Sequence, residues 1–306
     1  MTIAILAPGQ MGASLGTLIG SRSSVRVVTT LHDRSARTKR LAQQAKIHDL
    51  GSYDAVIKQS NIILSVLPPS NAVSMAQQVI EAVKNDESKD SKTIHYIDMN
   101  AISPRTSTKI STMFEHLPRV RYIDGGIIGG PATLESCPKI VLSGEAVNDV
   151  FQTLSELFLN RVTNVGDKIG AASALKLSYA SLAKGMIALT LNAGLLAKQY
   201  DVLNALQEEL EESNKAAAQT LQTRVPRNVA KAYRWIGEMD EIATSFNDVG
   251  LVGGATAFQG ISQTYDLVAK SKEIGSESIE ESLERGRSIQ EVLTALEAEF
   301  KVTNER

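Results

Sequence analysis

A short apolar run, Ile3–Leu6, passes directly into Ala7-Pro8-Gly9-Gln10-Met11-Gly12. Glycines spaced G-x-x-G between a strand and a helix suit phosphate chemistry. Gly9 lets the backbone approach a pyrophosphate, Gly12 lets the helix Ala13–Ile19 pack closely on the strand, and the helix N-terminus favours an anion. Pro8, Gly9, Gln10, Met11 and Gly12 are therefore candidate pyrophosphate contacts. The G-x-G-x-x-G fingerprint has Ala7 at its first glycine, so a plain structural turn competes with this reading. A second chemistry-bearing stretch ends the run Val25–Thr30. An NAD site commonly places a carboxylate there to accept from the adenosine ribose. Here no acid stands at the tip, and residues 22–40 hold six Lys or Arg against one acid. That balance suits a 2′-phosphate and hence NADP, with Thr30 at the tip, Arg34 as a forked donor and Ser35 as a hydroxyl donor. Arg37, Lys39 and Arg40 read as a solvated helix face. Asp33 as a ribose ligand would instead make the cofactor NAD. A third candidate is Lys176, which sits in the apolar window Ala171–Leu177, where a lysine is costly. A snorkelling structural lysine is its bland alternative. Lys184, eight residues on and about 80° further round a helix, is the runner-up.

The elements that must position these residues follow from hydrophobic patterning. Apolar runs at Ile3–Leu6, Val25–Thr30, Ile62–Leu67, Thr93–Ile97, Val120–Ile123 and Lys139–Leu142 are short and rich in Val and Ile. They read as strands of a parallel sheet buried on both faces. Amphipathic stretches at Ser35–Ala45, Asn71–Val83 and Pro104–His116 alternate with them, which predicts an α/β, Rossmann-type doubly wound sheet. The charged stretch Lys84–Lys92 reads as a solvated loop. From Gly166 the strand pattern stops, and 170–200, 201–223, 227–246, 254–273 and 277–300 read as helices, with Pro226, Gly250/Gly253/Gly254 and Gly275 as breaks. The expected organisation is a dinucleotide-binding domain at 1–165 and an all-α substrate or dimerisation domain at 166–306, with a cleft between them.

Composition excludes several function classes. The chain has 306 residues, and 32 Lys plus Arg against 34 Asp plus Glu give a net charge of −2. A nucleic-acid or membrane-surface binder would carry a basic excess. Cys137 is the single cysteine and has no activating base in sequence, so it reads as an inert thiol in a reducing compartment. The four histidines show no ligand spacing, and no metal is expected. Lys184 and Asn192 interrupt the longest apolar stretch, Ala180–Ala197, so no membrane span is expected. The apolar start lacks a basic flank and is cut by Pro8, so no secretory signal is read, and the location expected is cytoplasmic.

Three further motifs align with the first. They are Ser65-Val66-Leu67-Pro68-Pro69, Asp98-Met99-Asn100-Ala101-Ile102-Ser103-Pro104 and Asp124-Gly125-Gly126-Ile127-Ile128-Gly129-Gly130-Pro131. Together they resemble the β-hydroxyacid dehydrogenase family, which includes 3-hydroxyisobutyrate and 6-phosphogluconate dehydrogenases. Ala172-Ser173-Ala174-Leu175-Lys176 and Arg234-Trp235-Ile236-Gly237-Glu238-Met239 are similar to a branch whose helical C-terminal domain has no assigned function. The resemblance implies that Val66, Leu67 and Pro68 lie along the nicotinamide and its ribose. It places Asn100 where relatives carry a substrate-contacting serine, and gives Gly129 and Gly130 backbone N–H groups for a substrate anion. It makes Lys176 the general acid/base, passing a proton to and from the substrate hydroxyl as hydride leaves or joins the carbon. A lysine does this near neutral pH only where burial or a nearby positive charge lowers its pKa.

Departures from the family pattern limit the carry-over. Relatives place an asparagine four residues after the lysine, where this chain has Ala180. Tyr179 or Ser173 are the candidate replacements. Ile128 stands where relatives have a serine, and Asp167 and Ala172 degrade the glycine-rich lead-in around Gly170. The expected function is an NADP-dependent oxidoreductase for a small β-hydroxy acid or the matching carbonyl, with a carboxylate substrate. An imine or carbonyl reductase on the same scaffold and a catalytically degenerate NADP-binding sensor are the alternatives. The long apolar helix starting near Gly170 points to a homodimer in which the partner's helices complete the cleft. Glu238 and Glu241, at i, i+3 spacing, read as a solvated helix face in preference to a paired acid site, and Trp235 and Met239 as packing.

Overall fold

The computed structural model describes residues 1–22, 25–86 and 92–304. Most of the charged stretch expected as a solvated loop, residues 87–91, lies outside them. The chain forms two compact units, Met1–Leu177 and Ser178–Arg306.

The first unit is built on an eight-stranded sheet of order β3-β2-β1-β4-β5-β6-β7-β8. The strands are β1 Thr2–Leu6, β2 Arg26–Thr29, β3 His48–Asp49, β4 Ile62–Ser65, β5 Ile94–Asp98, β6 Val120–Ile128, β7 Lys139–Ser143 and β8 Val162–Asn164. The chain reverses its direction of winding between β1 and β4, the switch point of a doubly wound sheet. Ile3 and Ile5 enter one buried cluster while Ala4 and Leu6 enter the other, so both faces of the sheet are core. Helices α1 Gln10–Gly20, α2 Ala36–Gln44, α3 Tyr53–Gln59, α4 Ala72–Asn85, α5 Pro104–Phe114 and α6 Val147–Leu157 cover it.

All six apolar runs form strands, with three differences from the expected sheet. β7 runs antiparallel to β6. The short edge strands β3 and β8 carry too few apolar residues to register as periodicity. β6 also continues through Asp124–Ile128, which the motif alone places after the strand. Gly125 and Gly126 stay in register with Leu142 and Val141 of β7, which keeps this stretch extended.

The long helix α7, Ala171–Gln199, begins in the first unit, and the unit boundary falls inside it rather than near Gly166. The helices that follow are α8 Leu203–Ser213, α9 Lys215–Gln219, α10 Val225–Asn228, α11 Ala232–Asp248, α12 Val252–Lys270, α13 Ile279–Arg285 and α14 Ile289–Asn304. The helix expected over 201–223 is broken at Asn214, whose side chain caps α9 by accepting from Ala217 N. Pro226 is not the expected break. It sits in the first turn of α10, just after a π turn at Thr220–Arg224, where its missing N–H is tolerated. The stretch 277–300 divides in two at Gly286, which adopts a left-handed φ of 61°. Among the described residues α7 is long and apolar enough to cross a membrane, with mean hydropathy 1.4 over its most apolar window and 44% of that window buried. Its interrupting polar residues are satisfied within the second unit: Lys184 pairs with Glu238, and Asn192 donates to Thr264 Oγ1 at 3.1 Å.

Candidate functional site

The turn after β1 presents the open end of a helix. Ala7 takes a left-handed φ of 51°, the conformation that the fingerprint's first glycine would supply, and Gly9 N closes the turn on Ala7 O at 2.7 Å. Gly9 is the N-cap of α1 and brings no capping side chain, and no acid lies in the first turn. An anion can therefore be met by backbone N–H groups and the helix dipole. Gly12 is where the helix touches the sheet, since a Cβ there would stand 3.2 Å from Ile5 Cγ2. Pro8 is buried, and Gln10 and Met11 are half-buried beside the opening. Ser14 Oγ accepts from Ala132 N at 3.0 Å, which ties the loop carrying Gly129 and Gly130 to the head of α1.

At the other end of the cradle, Arg34 donates from Nη2 to Tyr53 Oη at 2.8 Å. Its Nε is buried without a hydrogen-bond partner among the described residues. Arg34, Tyr53, His32, Asp33 and Asp54 line a cavity of about 340 Å³. An unpartnered guanidinium N–H after β2 and an uncapped glycine turn after its neighbour β1 fit a dinucleotide cofactor. Ser35 does not line the cavity. Its hydroxyl caps α2 by accepting from Thr38 N at 3.2 Å. Thr30 is 2% exposed, so it supports the strand tip from below instead of facing outward. Asp33 is exposed and paired with His32, and Arg37, Lys39 and Arg40 are exposed on α2.

The tips of β4 and β5 are tied together by Asn100. Its Oδ1 accepts from Leu67 N at 2.7 Å, its Nδ2 donates to Ser65 Oγ at 2.9 Å, and its N–H donates to Asp98 Oδ1. At 2% exposure, Asn100 sets the path of Val66, Leu67 and Pro68, and one amide hydrogen is left for a ligand.

Lys176 is positioned by a buried carboxylate. Asp124, fully buried on β6, accepts from Ser107 Oγ at 2.8 Å, Ser143 Oγ at 2.9 Å and Ser173 Oγ at 2.6 Å. It also accepts from the backbone N–H groups of Gly170 and Ser173 at 3.0 Å each. Ser143 Oγ takes a further N–H, that of Ala172, at 3.0 Å. The orphan donors at the start of α7 thus end on β6 and β7. One turn later Lys176 crosses β6 so closely that a Cβ on Gly126 would lie 2.8 Å from Lys176 Cβ. Gly129, with φ of 134°, and Gly130 are exposed beyond the same strand.

A family model described as the NAD binding domain of 6-phosphogluconate dehydrogenase matches residues 2–170, more than half of the chain. A model described as a domain of unknown function (DUF1932) matches residues 197–268. The chain belongs to the β-hydroxyacid dehydrogenase family. Its first unit accordingly binds a nicotinamide dinucleotide, and its family members are oxidoreductases. A 3-hydroxyisobutyrate dehydrogenase from Salmonella typhimurium has the same fold, with a TM-score of 0.68 at 14% identity over 93% of this chain and 99% of that one. A reductive aminase from Aspergillus terreus, solved with NADPH and ethyl-5-oxohexanoate, gives a TM-score of 0.54 at 18% identity, covering 94% of this chain and 99% of that one. An uncharacterized 28.5 kDa protein of Methanothermus fervidus is 26% identical over 213 residues, 70% of this chain and 77% of that protein.

In this β-hydroxyacid dehydrogenase family member, Asp124, Ser143 and Gly126 are the site residues that sequence reading missed. Asp124 and Gly126 stand in the quoted motif, and an acid at the end of an apolar run is itself a signal of a buried, partnered carboxylate. Ser173 is pledged to Asp124, so it does not replace the family asparagine beside Lys176. Tyr179 lies three residues further along α7 in the second unit and is 53% exposed. Lys184, the runner-up, is ion-paired to Glu238 and lies 5.1 Å from the centre of the Trp235 ring. Glu238 is therefore buried and paired rather than solvated, because α11 packs this face against α7. Trp235 stands edge-on to Tyr265, and Met239 is fully buried, as packing residues should be. Burial pushes the Cys137 thiol up to about 11, in keeping with an inert cysteine.

Asp98 adds a pH dependence. Burial, opposed by the N–H of Asn100, pushes its carboxyl up to about 7, and Oδ2 has no hydrogen-bond partner among the described residues. An unfolded aspartate titrates near ~3.9. Between about pH 4 and 7 the folded chain therefore holds the extra proton, and stability falls as pH rises through that window. Asp98→Asn should flatten this slope, by up to about 1.4 kcal/mol per pH unit. Urea unfolding at pH 5, 6 and 7 reads it directly, and equal slopes in both proteins would refute the assignment.

Proposed function

We propose that this chain is an NADP-dependent oxidoreductase that interconverts a small β-hydroxy acid and the matching carbonyl, with Lys176 as general acid/base. The observation that carries the proposal is the placement of Lys176. A lysine is pressed onto Gly126 by a helix start fixed to buried Asp124, on the strand that leads to Gly129 and Gly130. Val66, Leu67 and Pro68 would hold the nicotinamide, whose chemistry would be to supply or accept the hydride. The protein's own work is to hold and move a proton. Lys176 Nζ takes the hydroxyl proton in oxidation and returns it in reduction. The N–H groups of Gly129 and Gly130 hold the substrate carboxylate, and Asn100 fixes the chain along which the cofactor lies. Arg34 is the residue that would favour a 2′-phosphate, because it lines the cavity after β2 and has an N–H to spare.

A second reading, reduction of an imine or simple ketone, draws on Ala180 and Ile128. Ala180 is buried at 2% exposure, so the helix face after Lys176 offers no amide to a hydroxy acid. Both readings are tested together. Calorimetric titration should give at least tenfold tighter binding of NADPH than of NADH. Lys176→Ala should lower turnover by at least about 100-fold, with NADPH affinity within twofold of the parent. Hydroxy acids and imines assayed in parallel identify the substrate class. Equal affinity for the two cofactors, or an active Lys176→Ala protein, would reject the corresponding half of the proposal.

A further inference from the structure

The second unit is acidic, with 13 Lys or Arg against 19 Asp or Glu over residues 178–306. Its cations are not spread evenly. Residues 213–237 hold Lys215, Arg224, Arg227, Lys231 and Arg234 and no acid. The last four follow one another at steps of three, four and three residues. They run from the π turn through α10 and the 3₁₀ turn Val229–Lys231 into the first turn of α11. Such steps make side chains neighbours along a helical path. Arg224, Arg227 and Arg234 are exposed, and Lys231 is half-buried.

The Lys231 end of this ridge is held in a fixed arrangement. Asn228 Nδ2 donates to Arg224 O at 2.7 Å, which fixes the amide so that Oδ1 accepts from Lys231 Nζ at 3.0 Å. An ammonium group has three N–H donors, so two remain for a ligand. Among the described residues no carboxylate is ion-paired to Arg224, Arg227 or Lys231. Burial, with the neighbouring Arg234 guanidinium, pulls the Lys231 amine below its ordinary pKa. These cations also stand at the wrong end of α11. The helix dipole already makes that end positive. Its first turn holds no acid, and Glu238, Asp240, Glu241 and Asp248 all come later in the helix. Like charges held together, partly out of water and against a helix dipole, break the local rules in a way that a bound anion would repair.

We propose that Lys231, with Arg234 beside it and Arg227 one turn earlier, binds the phosphate or carboxylate group of a small molecule. A long polyanion fits less well, because the acidic balance of the surrounding unit repels it beyond the ridge. This inference is independent of the reaction proposed above.

Trp235 is the single tryptophan and directly follows Arg234, so its fluorescence reports on the site. Inorganic phosphate or malonate added to the full chain should change Trp235 emission saturably, against potassium chloride at matched ionic strength. Lys231→Gln should weaken that binding at least tenfold with an unchanged circular dichroism spectrum, and Lys231→Arg should restore it to within threefold. Lys215→Gln, outside the ridge, should leave it unaltered. Arg227→Gln, at an exposed side chain, should weaken it at least threefold, which keeps the test open even if Lys231→Gln fails to fold. Saturating NADPH should leave the response in place. No saturable response to either anion, equal binding by the parent and Lys231→Gln, or equal weakening by Lys215→Gln would overturn the proposal. Loss of the response under NADPH would overturn it as well and assign these cations to the cofactor. So would a response to a single-stranded oligonucleotide with none to phosphate or malonate, which would assign the ridge to a polyanion.

Discussion

Asp124→Ala should lower the unfolding free energy of the first unit by about 4 kcal/mol, and Asp124→Asn by only about 1–2 kcal/mol. The alanine variant strands three serine hydroxyls and two backbone N–H groups that now end on one buried carboxylate. Hydrogen bonds to a charged group contribute about 1.5–3 kcal/mol each when taken singly, and they do not add in full because the freed serines can repartner. Asparagine behaves differently. Its oxygen can stay at the Oδ2 position and accept from Gly170 N and Ser173 N, while its NH₂ faces Ser107 and Ser173, whose hydroxyls can turn to accept. What is lost is the negative charge at the start of α7. Urea denaturation of the parent and both variants measures the difference. A loss below 1 kcal/mol in Asp124→Ala would show that the helix start is held by something else.

Gly126→Ala should lower turnover by about 100-fold while cofactor affinity stays within twofold of the parent. The added Cβ would stand 2.8 Å from Lys176 Cβ and 3.1 Å from Val141 Cγ2. A Cβ cannot swing aside as a side-chain tip can, so α7 must lift from β6 and carry Lys176 with it. A displacement of about 1 Å at a reacting group is enough for a loss of that size. Gly237→Ala is the matched control. It adds a methyl group within helix α11, where nothing lies within 4 Å, and should leave turnover intact. Steady-state kinetics combined with NADPH titration separates the outcomes. Unchanged turnover in Gly126→Ala would remove Lys176 from the reaction or show that the helix yields without moving it.

The sheet was legible because strands buried on both faces must be continuous and apolar, and Ile62–Ser65 or Ile94–Asp98 could hardly be anything else. β3 and β8 escaped notice because two exposed residues and a three-residue edge carry no such signature. The glycine turn and Lys176 were legible from residue type at fixed spacing. Asp124 was not, since a lone acid after an apolar run looks like a strand end until a long-range partner is known, and Ser173 is 49 residues away. Gly126 escaped for a related reason. A glycine needed for an approach across the fold has the same letter as one needed for a turn, and the pair Gly129-Gly130 carries the stronger turn signal. Glu238 reads as solvated in the sequence because i, i+3 acids usually are, and only the packing of α11 on α7 reveals Lys184 as its partner.

The unit boundary, one residue after Lys176, has an evolutionary consequence. Lys176, the proposed proton carrier, is inherited with the nucleotide-binding half of the gene, together with the Asp124 and Ser143 contacts that fix the start of its helix. A recombination event at codons 177–178 could exchange the whole helical half for another and leave Lys176 and the contacts at the start of its helix in place. Chimaeras joined at that point should keep cofactor binding, while chimaeras joined at Gly166 would separate Asp124 from Ser173 and from the N–H of Gly170.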